Sequence, residues 1–265
     1  TLALDPHFAQ EPQISPDGKS ICFEYLGDLW TAPFEGGEAK RLTATKYRET
    51  NPIFSPDSKW ICYLSNKEGT SQIFKMPVEG GEGKMIFSEY FWITDWSKDG
   101  KYLLGTKTDF LWKDSFYKIP LNGERPTLIT EFGGDFGTFN EDNTKILFSR
   151  NGYPYREAYK GSLNGELWEY DIENNKYEQL TDTDYTERYA VYSHKEKGYY
   201  YAGAVNDLFQ LFFSPENNFQ KREQLTNFTD NSVRNISISN DDQILFQKFD
   251  ELWSYNPSTQ KTEKI

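Results

Sequence analysis

The chain has 265 residues and a formal net charge of −12. Because nucleic-acid binding needs a basic surface that neutralises phosphates, this charge argues against a nucleic-acid partner and against anionic membrane surfaces. No apolar run reaches the length of a transmembrane helix and no signal peptide is visible, so membrane insertion is not expected.

One short phrase recurs six times, at a spacing of about forty to fifty residues. It begins as Ser15-Pro16-Asp17-Gly18-Lys19. Five copies follow, increasingly altered, at 55–59, 97–101, 140–143, 193–197 and 239–242. A fixed period in this range is typical of stacked or radially arranged units.

Each copy belongs to a unit of four predicted strands, named A to D in chain order. In the first unit, strand A (Pro12-Gln13-Ile14-Ser15) precedes the turn and the apolar strand B (Ile21-Cys22-Phe23) follows it. Strand C reads polar, aliphatic, aromatic (Asp28-Leu29-Trp30), and a turn rich in Gly or Asn leads to strand D (Arg41-Leu42-Thr43). An aromatic residue at one fixed place in every strand C predicts packing between neighbouring units.

Six such units predict an all-β fold, a six-bladed β-propeller of four-stranded antiparallel blades, as one domain over residues 1–265 with almost no helix. Because the chain runs from strand A to the strand D position, we expect contiguous blades and an open ring without strand-swapped closure. Pairing of residues 1–10 with the last blade would contradict this. The predicted blades are approximately 10–43, 50–87, 93–130, 136–181, 189–226 and 235–265.

No catalytic constellation is visible, so no catalytic residue is predicted. A Ser-His-Asp site needs a histidine base, and the two histidines are His7, ahead of the first strand, and His194, inside the fifth turn. Two histidines and two separated cysteines make a zinc site unexpected, and no cofactor is predicted. Cys22 and Cys62 occupy equivalent strand B positions in adjacent units and are expected to be free, buried thiols.

The first unit resembles a known repeat. Its segments 14–21, 27–30 and 35–43 (ISPDGKSI, GDLW and EGGEAKRLT) resemble the WD40-like PD40 repeat of TolB, tricorn protease and prolyl oligopeptidase-related propellers. The unit is most similar to the N-terminal six-bladed propeller of tricorn-type serine peptidases, with the TolB propeller next. This resemblance implies a non-catalytic domain that accompanies a separate peptidase region and filters or guides peptides.

The leading functional hypothesis is therefore a substrate-access filter or docking module of a tricorn-like serine peptidase. Its expected partners are peptides or proteins, including a downstream peptidase region of the same polypeptide. The alternative is a TolB-like protein-interaction propeller of the cell envelope. A weaker alternative is a sugar-binding or lyase propeller. We favour the bacterial periplasm or another extracytoplasmic space and leave the cytoplasm open.

Blade geometry places the A–B and C–D turns on one face and the B–C and D–A loops on the other. The second set varies in length, from Leu26-Gly27 in blade 1 to residues 151–165 in blade 4, and variable loops on a rigid scaffold usually carry binding. Charged residues expected near the channel mouth either steer peptide ends or pair with one another. These candidates are Arg48, Glu49, Asp95, Asp135, Glu187, Arg188 and Arg234.

The blade 4 insertion supplies a second candidate surface. Its composition is favoured at interfaces, although a longer hairpin packed on its own propeller is an equal alternative. The residues concerned are Tyr153, Tyr155, Arg156 and Tyr159.

Overall fold

Six four-stranded antiparallel sheets are arranged as the blades of a propeller in the computed structural model, which describes residues 9–109, 113–153, 155–161, 163–193, 195–216 and 218–265. Each sheet consists of four consecutive strands, so the innermost strand of a blade is always strand A. The inner strands are neighbours around a closed circle, and they form the wall of a central channel. The predicted six-bladed all-β fold is confirmed.

Over its described residues the structure has 24 strands, numbered in chain order. The strands of blades 1 to 3 are β1 (Gln10–Ile14), β2 (Ser20–Tyr25), β3 (Asp28–Pro33), β4 (Lys40–Arg41), β5 (Glu49–Phe54), β6 (Trp60–Ser65), β7 (Gln72–Pro77), β8 (Lys84–Phe87), β9 (Trp92–Trp96), β10 (Tyr102–Thr108), β11 (Asp114–Pro120) and β12 (Thr127–Thr130). The strands of blades 4 to 6 are β13 (Asp135–Phe139), β14 (Lys145–Arg150), β15 (Glu166–Asp171), β16 (Lys176–Gln179), β17 (Glu187–Ser193), β18 (Gly198–Val205), β19 (Leu208–Pro215), β20 (Glu223–Gln224), β21 (Val233–Ile238), β22 (Ile244–Lys248), β23 (Glu251–Asn256) and β24 (Lys261–Lys264). Among the described residues the helical ones are Phe219–Lys221, a single 3-10 turn.

The core is divided into six hydrophobic clusters, one at each interface between neighbouring blades. Successive strand B side chains point to opposite faces of the sheet. Ile61 therefore packs towards blade 1, whereas Cys62 packs towards blade 3. Every cluster includes the strand C aromatic of its later blade, as predicted from the repeat: Trp30, Phe74, Tyr117, Trp168, Phe212 and Trp253.

The two cysteines lie in different interfaces. Cys22 packs between blades 1 and 2, and Cys62 packs between blades 2 and 3. Both are free and fully buried, as predicted, and burial raises the pKa of each thiol.

The recurring phrase forms the tight A–B turns on one face of the propeller. In blades 1 to 3 the serine hydroxyl donates to the aspartate carboxylate two residues later, and the bonds are Ser15 to Asp17 (2.7 Å), Ser55 to Asp57 (2.6 Å) and Ser97 to Asp99 (2.7 Å). Each turn contains one left-handed residue near its end: the fourth position in five blades (Gly18, Ser58, Gly100, Asn143 and Asp242) and the fifth position, Lys197, in blade 5. The phrase is a turn-forming device in which serine holds the aspartate.

The ring is open at the seam between blades 6 and 1. In the described ranges no strand pairs across this seam: β24 completes blade 6, and β1 pairs with β2. The blades are joined there by an apolar cluster that contains Ile14 and Leu245. Two hydrogen bonds also cross the seam, from the Ile14 amide to Ser237 Oγ (3.0 Å) and from the Asn240 amide to the Pro16 carbonyl (2.8 Å). Residues 1–8 and His194 lie outside the described residues.

Candidate functional site: the central channel

The inner strands enclose a channel cavity of about 870 Å³. At one level each blade contributes the residue that stands four positions before the first residue of its A–B turn. We call this set the channel ring, and it consists of Glu11, Asn51, Ile93, Phe136, Tyr189 and Asn235. The same position of the repeat thus lines the channel in all six blades.

Bulges in strand A bring most of the channel ring into place. The pairing of strand A with strand B shifts register in all six blades. Five channel-ring residues, none of them glycine, have a positive φ: Glu11 (51°), Asn51 (53°), Phe136 (55°), Tyr189 (58°) and Asn235 (48°). Such backbone conformations cost about 1–3 kcal/mol each and cluster at functional sites, where bulges re-aim side chains. The ring is the most strained repeated feature of the described inner strands.

The channel ring has a polar half and an apolar half. Blades 6, 1 and 2 contribute Asn235, Glu11 and Asn51, whereas blade 3 contributes Ile93. The apolar half is completed by blades 4 and 5. There the rings of Phe136 and Tyr189 pack against each other with centroids 4.4 Å apart. Since blade 4 stands opposite blade 1 in a six-bladed ring, the Glu11 carboxylate and the aromatic pair belong to opposite walls.

Hydrogen bonds between blades hold the polar half in place. The backbone N–H of Asn51 donates to Glu11 Oε2 at 2.6 Å, and its side-chain Nδ2 donates to the Ile93 carbonyl at 2.7 Å. Burial raises the pKa of Glu11 to about 7, the Asn51 bond opposes this shift, and the nearby Glu24 charge adds to it. Glu11 is therefore the channel-ring group whose charge is most sensitive to what enters the channel.

The blade 4 insertion, residues 151–165, is anchored at its base by blade 5. Arg188, whose side chain is fully buried, donates from Nη1 to the Asn151 carbonyl at 2.8 Å. Gly152 has φ +71°, and a Cβ there would lie 2.8 Å from the Gly165 backbone and 3.2 Å from Arg188 Nη1. The two ends of the insertion therefore approach too closely for a side chain at this position.

The middle of the insertion reaches blade 6, beside the channel. Glu157 accepts hydrogen bonds from Ser232 Oγ (2.9 Å) and from the Arg234 guanidinium. The Tyr155 ring lines the channel cavity and lies 4.7 Å from the Arg234 guanidinium carbon, yet the residue is 81% exposed. The insertion thus crosses from blade 4 to blade 6 at the channel mouth, where Glu157 binds Arg234 and Ser232.

Two of the seven charged candidates, Asp95 and Arg234, lie in the channel wall. Asp95 is within β9, two residues before the A–B turn, and is thus deeper than the loop position expected for it. Its Oδ2 accepts a hydrogen bond from the Phe139 amide of blade 4 at 2.7 Å and pairs with Lys98 at 3.5 Å. Arg234 lies in β21 at the Glu157 contact.

The other five candidates lie outside the channel lining and bind neighbouring side chains. The contacts are Arg48 with Glu24 (3.0 Å), Asp135 with Arg188 (2.6 Å), Glu187 with Arg222 (3.1 Å) and Glu49 with Thr45 (2.8 Å). Burial raises the pKa of Glu187 to about 8, with a further contribution from the Glu166 charge. Pairing between charges was one of the two alternatives drawn from the sequence, and a role of these residues in peptide binding stays a prediction.

Some candidate residues of the insertion contact their own loop, and others are exposed to solvent. The Arg156 guanidinium carbon lies 5.0 Å from the Tyr153 ring, and the Tyr159 amide donates to the Arg156 carbonyl at 3.1 Å. Tyr153 and Tyr155 remain exposed. The insertion therefore packs on its own propeller and still presents aromatic surface.

Exposed apolar side chains concentrate on this variable-loop face. Of the ten large apolar residues that are exposed in the described ranges, seven lie in B–C or D–A loops: Leu26, Tyr90, Tyr153, Tyr155, Leu163, Tyr185 and Phe249. Clustered exposed apolar residues mark interaction surfaces more often than scattered ones do.

Sequence reasoning missed the channel ring. The charged loop residues attracted notice because charge is visible in sequence, whereas Asn51, Phe136 and Tyr189 resemble ordinary strand residues. A usable signal was present, because counting four residues back from the first residue of each turn gives the complete ring. In the ranges that the structure describes, no three His, Cys, Asp or Glu side chains are grouped as a metal site requires. No helix there is long and apolar enough to cross a membrane.

The family model of the tricorn protease N-terminal β-propeller domain matches residues 5–261. The chain belongs to this family. It corresponds to the N-terminal propeller of tricorn protease and not to the catalytic domain. A curated relative, tricorn protease homolog 1 of Streptomyces coelicolor, is 29% identical over 163 residues, which cover 58% of this chain and 15% of that protein. The chain therefore spans a small part of the relative's length.

Two solved structures show the same fold. The crystal structure of the tricorn protease matches with a TM-score of 0.80 at 20% identity, over 98% of this chain and 26% of that chain. TolB from Acinetobacter baumannii matches with a TM-score of 0.70 at 16% identity, over 96% of this chain and 62% of that chain. At these identities the likeness concerns the fold alone.

Proposed function

We infer that this propeller is a non-catalytic module of a tricorn-like serine peptidase that admits or docks extended peptide segments in its central channel. The observation that carries the proposal is the channel ring, in which one repeat position supplies six residues to the lining of a cavity of about 870 Å³. Family membership makes a peptide the natural ligand class to test.

The channel chemistry suits an extended peptide. A peptide backbone needs hydrogen-bond partners, and side chains such as Gln13, Asn51 and Asn235 offer them along the polar half. Apolar peptide side chains need a surface that excludes water, which the partly exposed Phe136 offers on the other half, supported from behind by the buried Tyr189 ring. A cavity that combines apolar walls with a few convergent polar groups is the usual form of a ligand site.

Calorimetric titration of the chain with a pool of short peptides tests this function. Phe136→Ala removes part of the apolar wall and is expected to weaken binding about tenfold, whereas Leu128→Ala, an exposed apolar residue on outer strand β12, should not. The recovered peptides should be intact, because the module is proposed to bind without cleaving. Equal binding by both variants, or cleavage that a point change abolishes, would contradict the proposal.

A second candidate is a protein-docking function of the TolB type. The observation that favours it is the set of seven exposed apolar residues on the variable-loop face. Under this function Leu26→Ser and Leu163→Ser, which lie outside the channel lining, would abolish capture of a protein partner and leave peptide binding in the channel unchanged. If Phe136→Ala lost peptide binding but still captured the protein partner, the two functions would be separate.

A further inference from the structure

The Glu11 carboxylate lies in the channel wall and has no cationic partner among the described residues. It accepts one hydrogen bond, from the Asn51 amide at 2.6 Å. Arg48, the basic side chain whose charge acts on it, is bound to Glu24 at 3.0 Å. In the part of the chain that the structure describes, no lysine or arginine nitrogen makes an ion pair with Glu11, so one carboxylate oxygen is available to a ligand.

The two asparagines beside Glu11 offer the same kind of group. Asn51 Nδ2 is engaged by the Ile93 carbonyl, and Asn235 Nδ2 donates to Gln247 Oε1 at 2.8 Å. An amide nitrogen can only donate, and within the described residues the Oδ1 atoms of Asn51 and Asn235 accept no hydrogen bond, so each oxygen can accept one from a ligand. Blades 6, 1 and 2 therefore present three acceptors at one level of the channel, which matches the three N–H donors of a primary ammonium group.

The opposite wall carries aromatic surface. Phe136 and Tyr189 pack together, and Trp92 of blade 3 also lines the cavity. Aromatic faces bury apolar side chains and attract cations. A ligand that spans the channel at this level would therefore place a positive group near blade 1 and an apolar group near blades 3 to 5.

We propose that the channel ring is a binding site for peptide segments in which a primary ammonium group lies next to an apolar side chain. Glu11, with Asn51 and Asn235, binds the ammonium of a lysine or of a peptide amino terminus, and Phe136, supported by the buried Tyr189 ring, packs on the neighbouring apolar side chain. The inference rests on the proposed function, whose ligand class it names. The raised pKa of Glu11 is consistent with it, because a bound cation would restore the charged carboxylate.

Four amidated peptides test the site and distinguish the two sources of ammonium. The parent is Ala-Phe-Lys-Phe-Ala-amide; its amino terminus is free or acetylated, and its lysine is kept or replaced by norleucine. Calorimetry is expected to show at least tenfold weaker binding of the acetylated norleucine peptide than of the best cationic peptide. The singly cationic peptide that keeps affinity identifies the source.

Glu11→Gln is expected to abolish this cation preference and to leave the affinity for the neutral peptide unchanged. Gln can still accept the Asn51 hydrogen bond, and the unfolding midpoint checks that the variant is folded. Glu82→Gln makes the same charge change in the C–D turn of blade 2 and should change nothing. For the unaltered chain, the preference should also shrink between 50 and 500 mM NaCl, because salt screens the ion pair.

Equal affinity of the unaltered chain for all four peptides, or a cation preference that survives in Glu11→Gln, would overturn the ammonium site and leave the channel as a peptide site. Failure of every peptide to bind would count against both the site and the proposed function.

Discussion

Arg188 of blade 5 and Asp135 of blade 4 form an ion pair with 2.6 Å between Nη2 and Oδ2, in which the arginine side chain is fully buried and the carboxylate is half exposed. The same arginine donates to the Asn151 carbonyl at the base of the blade 4 insertion. One buried cation thus joins the start of β13, the start of β17 and the insertion that crosses the channel mouth.

Because Arg188 is buried and Asp135 is half exposed, removing the charge of one or the other should lower the free energy of unfolding by different amounts. Asp135→Asn leaves a buried cation without its counter-charge and should lower the free energy of unfolding by about 3 kcal/mol. Arg188→Met leaves a carboxylate that water reaches and should cost about 1–2 kcal/mol. Urea unfolding of both variants and of the double variant checks this. The double variant should be no less stable than Arg188→Met, and a strictly additive loss would contradict the pairing.

The Glu157 contact with Arg234 and Ser232 is expected to hold the insertion at the channel mouth. Glu157→Ala should speed hydrogen exchange of the amides in residues 155–161 about tenfold, because charge-assisted hydrogen bonds are lost. Peptides should also associate with the channel faster. Glu173→Ala, in the C–D turn of blade 4, is the matched control. Unchanged exchange in Glu157→Ala would mean that the insertion is held by other contacts.

The turn serines are expected to act on stability alone. Ser97 Oγ donates to Asp99 and accepts hydrogen bonds from the Lys101 and Tyr102 amides at 3.2 and 3.1 Å. Ser97→Ala should therefore cost about 1–2 kcal/mol in urea unfolding. Peptide affinity should not change. Ser254→Ala, whose hydroxyl makes one long exposed bond of 3.4 Å, should cost under about 0.5 kcal/mol. A loss of peptide binding in Ser97→Ala would assign the turn a role beyond structure.

Glu187 makes stability depend on pH. Its pKa is raised from the ordinary value of 4.5 to about 8, mainly by burial, so between these pH values the folded state retains a proton that the unfolded state has lost. The favourable contribution of this group is fully present below pH 4.5 and is lost as the pH rises towards 8. The melting temperature of Glu187→Gln, measured relative to that of the unaltered chain, should therefore rise as the pH is raised from 5 to about 9. Exposed Glu178→Gln should show no such trend, and parallel pH profiles would refute the assignment.

The architecture could be predicted because it depends on local, repeated signals. The Ser-x-Asp turn, the apolar strand B and the strand C aromatic each recur at a fixed place, and each reflects a contact within one blade or with its neighbour. The contiguous blades followed from the order of the repeated signals, since each unit runs from strand A to strand D.

The channel ring could not be predicted in the same way, because its members share a position and not a residue type. Glu11 is acidic and Phe136 is aromatic, and in the bulges that contain them the left-handed residue is not a glycine that the sequence would reveal. The insertion posed another difficulty: Glu157 contacts Arg234, 77 residues further along the chain, and no local pattern indicates such a pairing. Charge identified Arg234 as a candidate, but its partner was visible only in three dimensions.

Photo-cross-linking tests the central claim most directly, namely that the channel is where peptides bind. A pentapeptide that carries benzophenone in place of its central aromatic ring is irradiated with the chain, and the adducts are mapped by mass spectrometry. The predicted adducts lie on the inner strands, chiefly β13 and β17 around Phe136 and Tyr189, and decrease in Phe136→Ala. Adducts confined to the outer strands β4, β8, β12, β16, β20 and β24 or to the C–D turns would contradict the account.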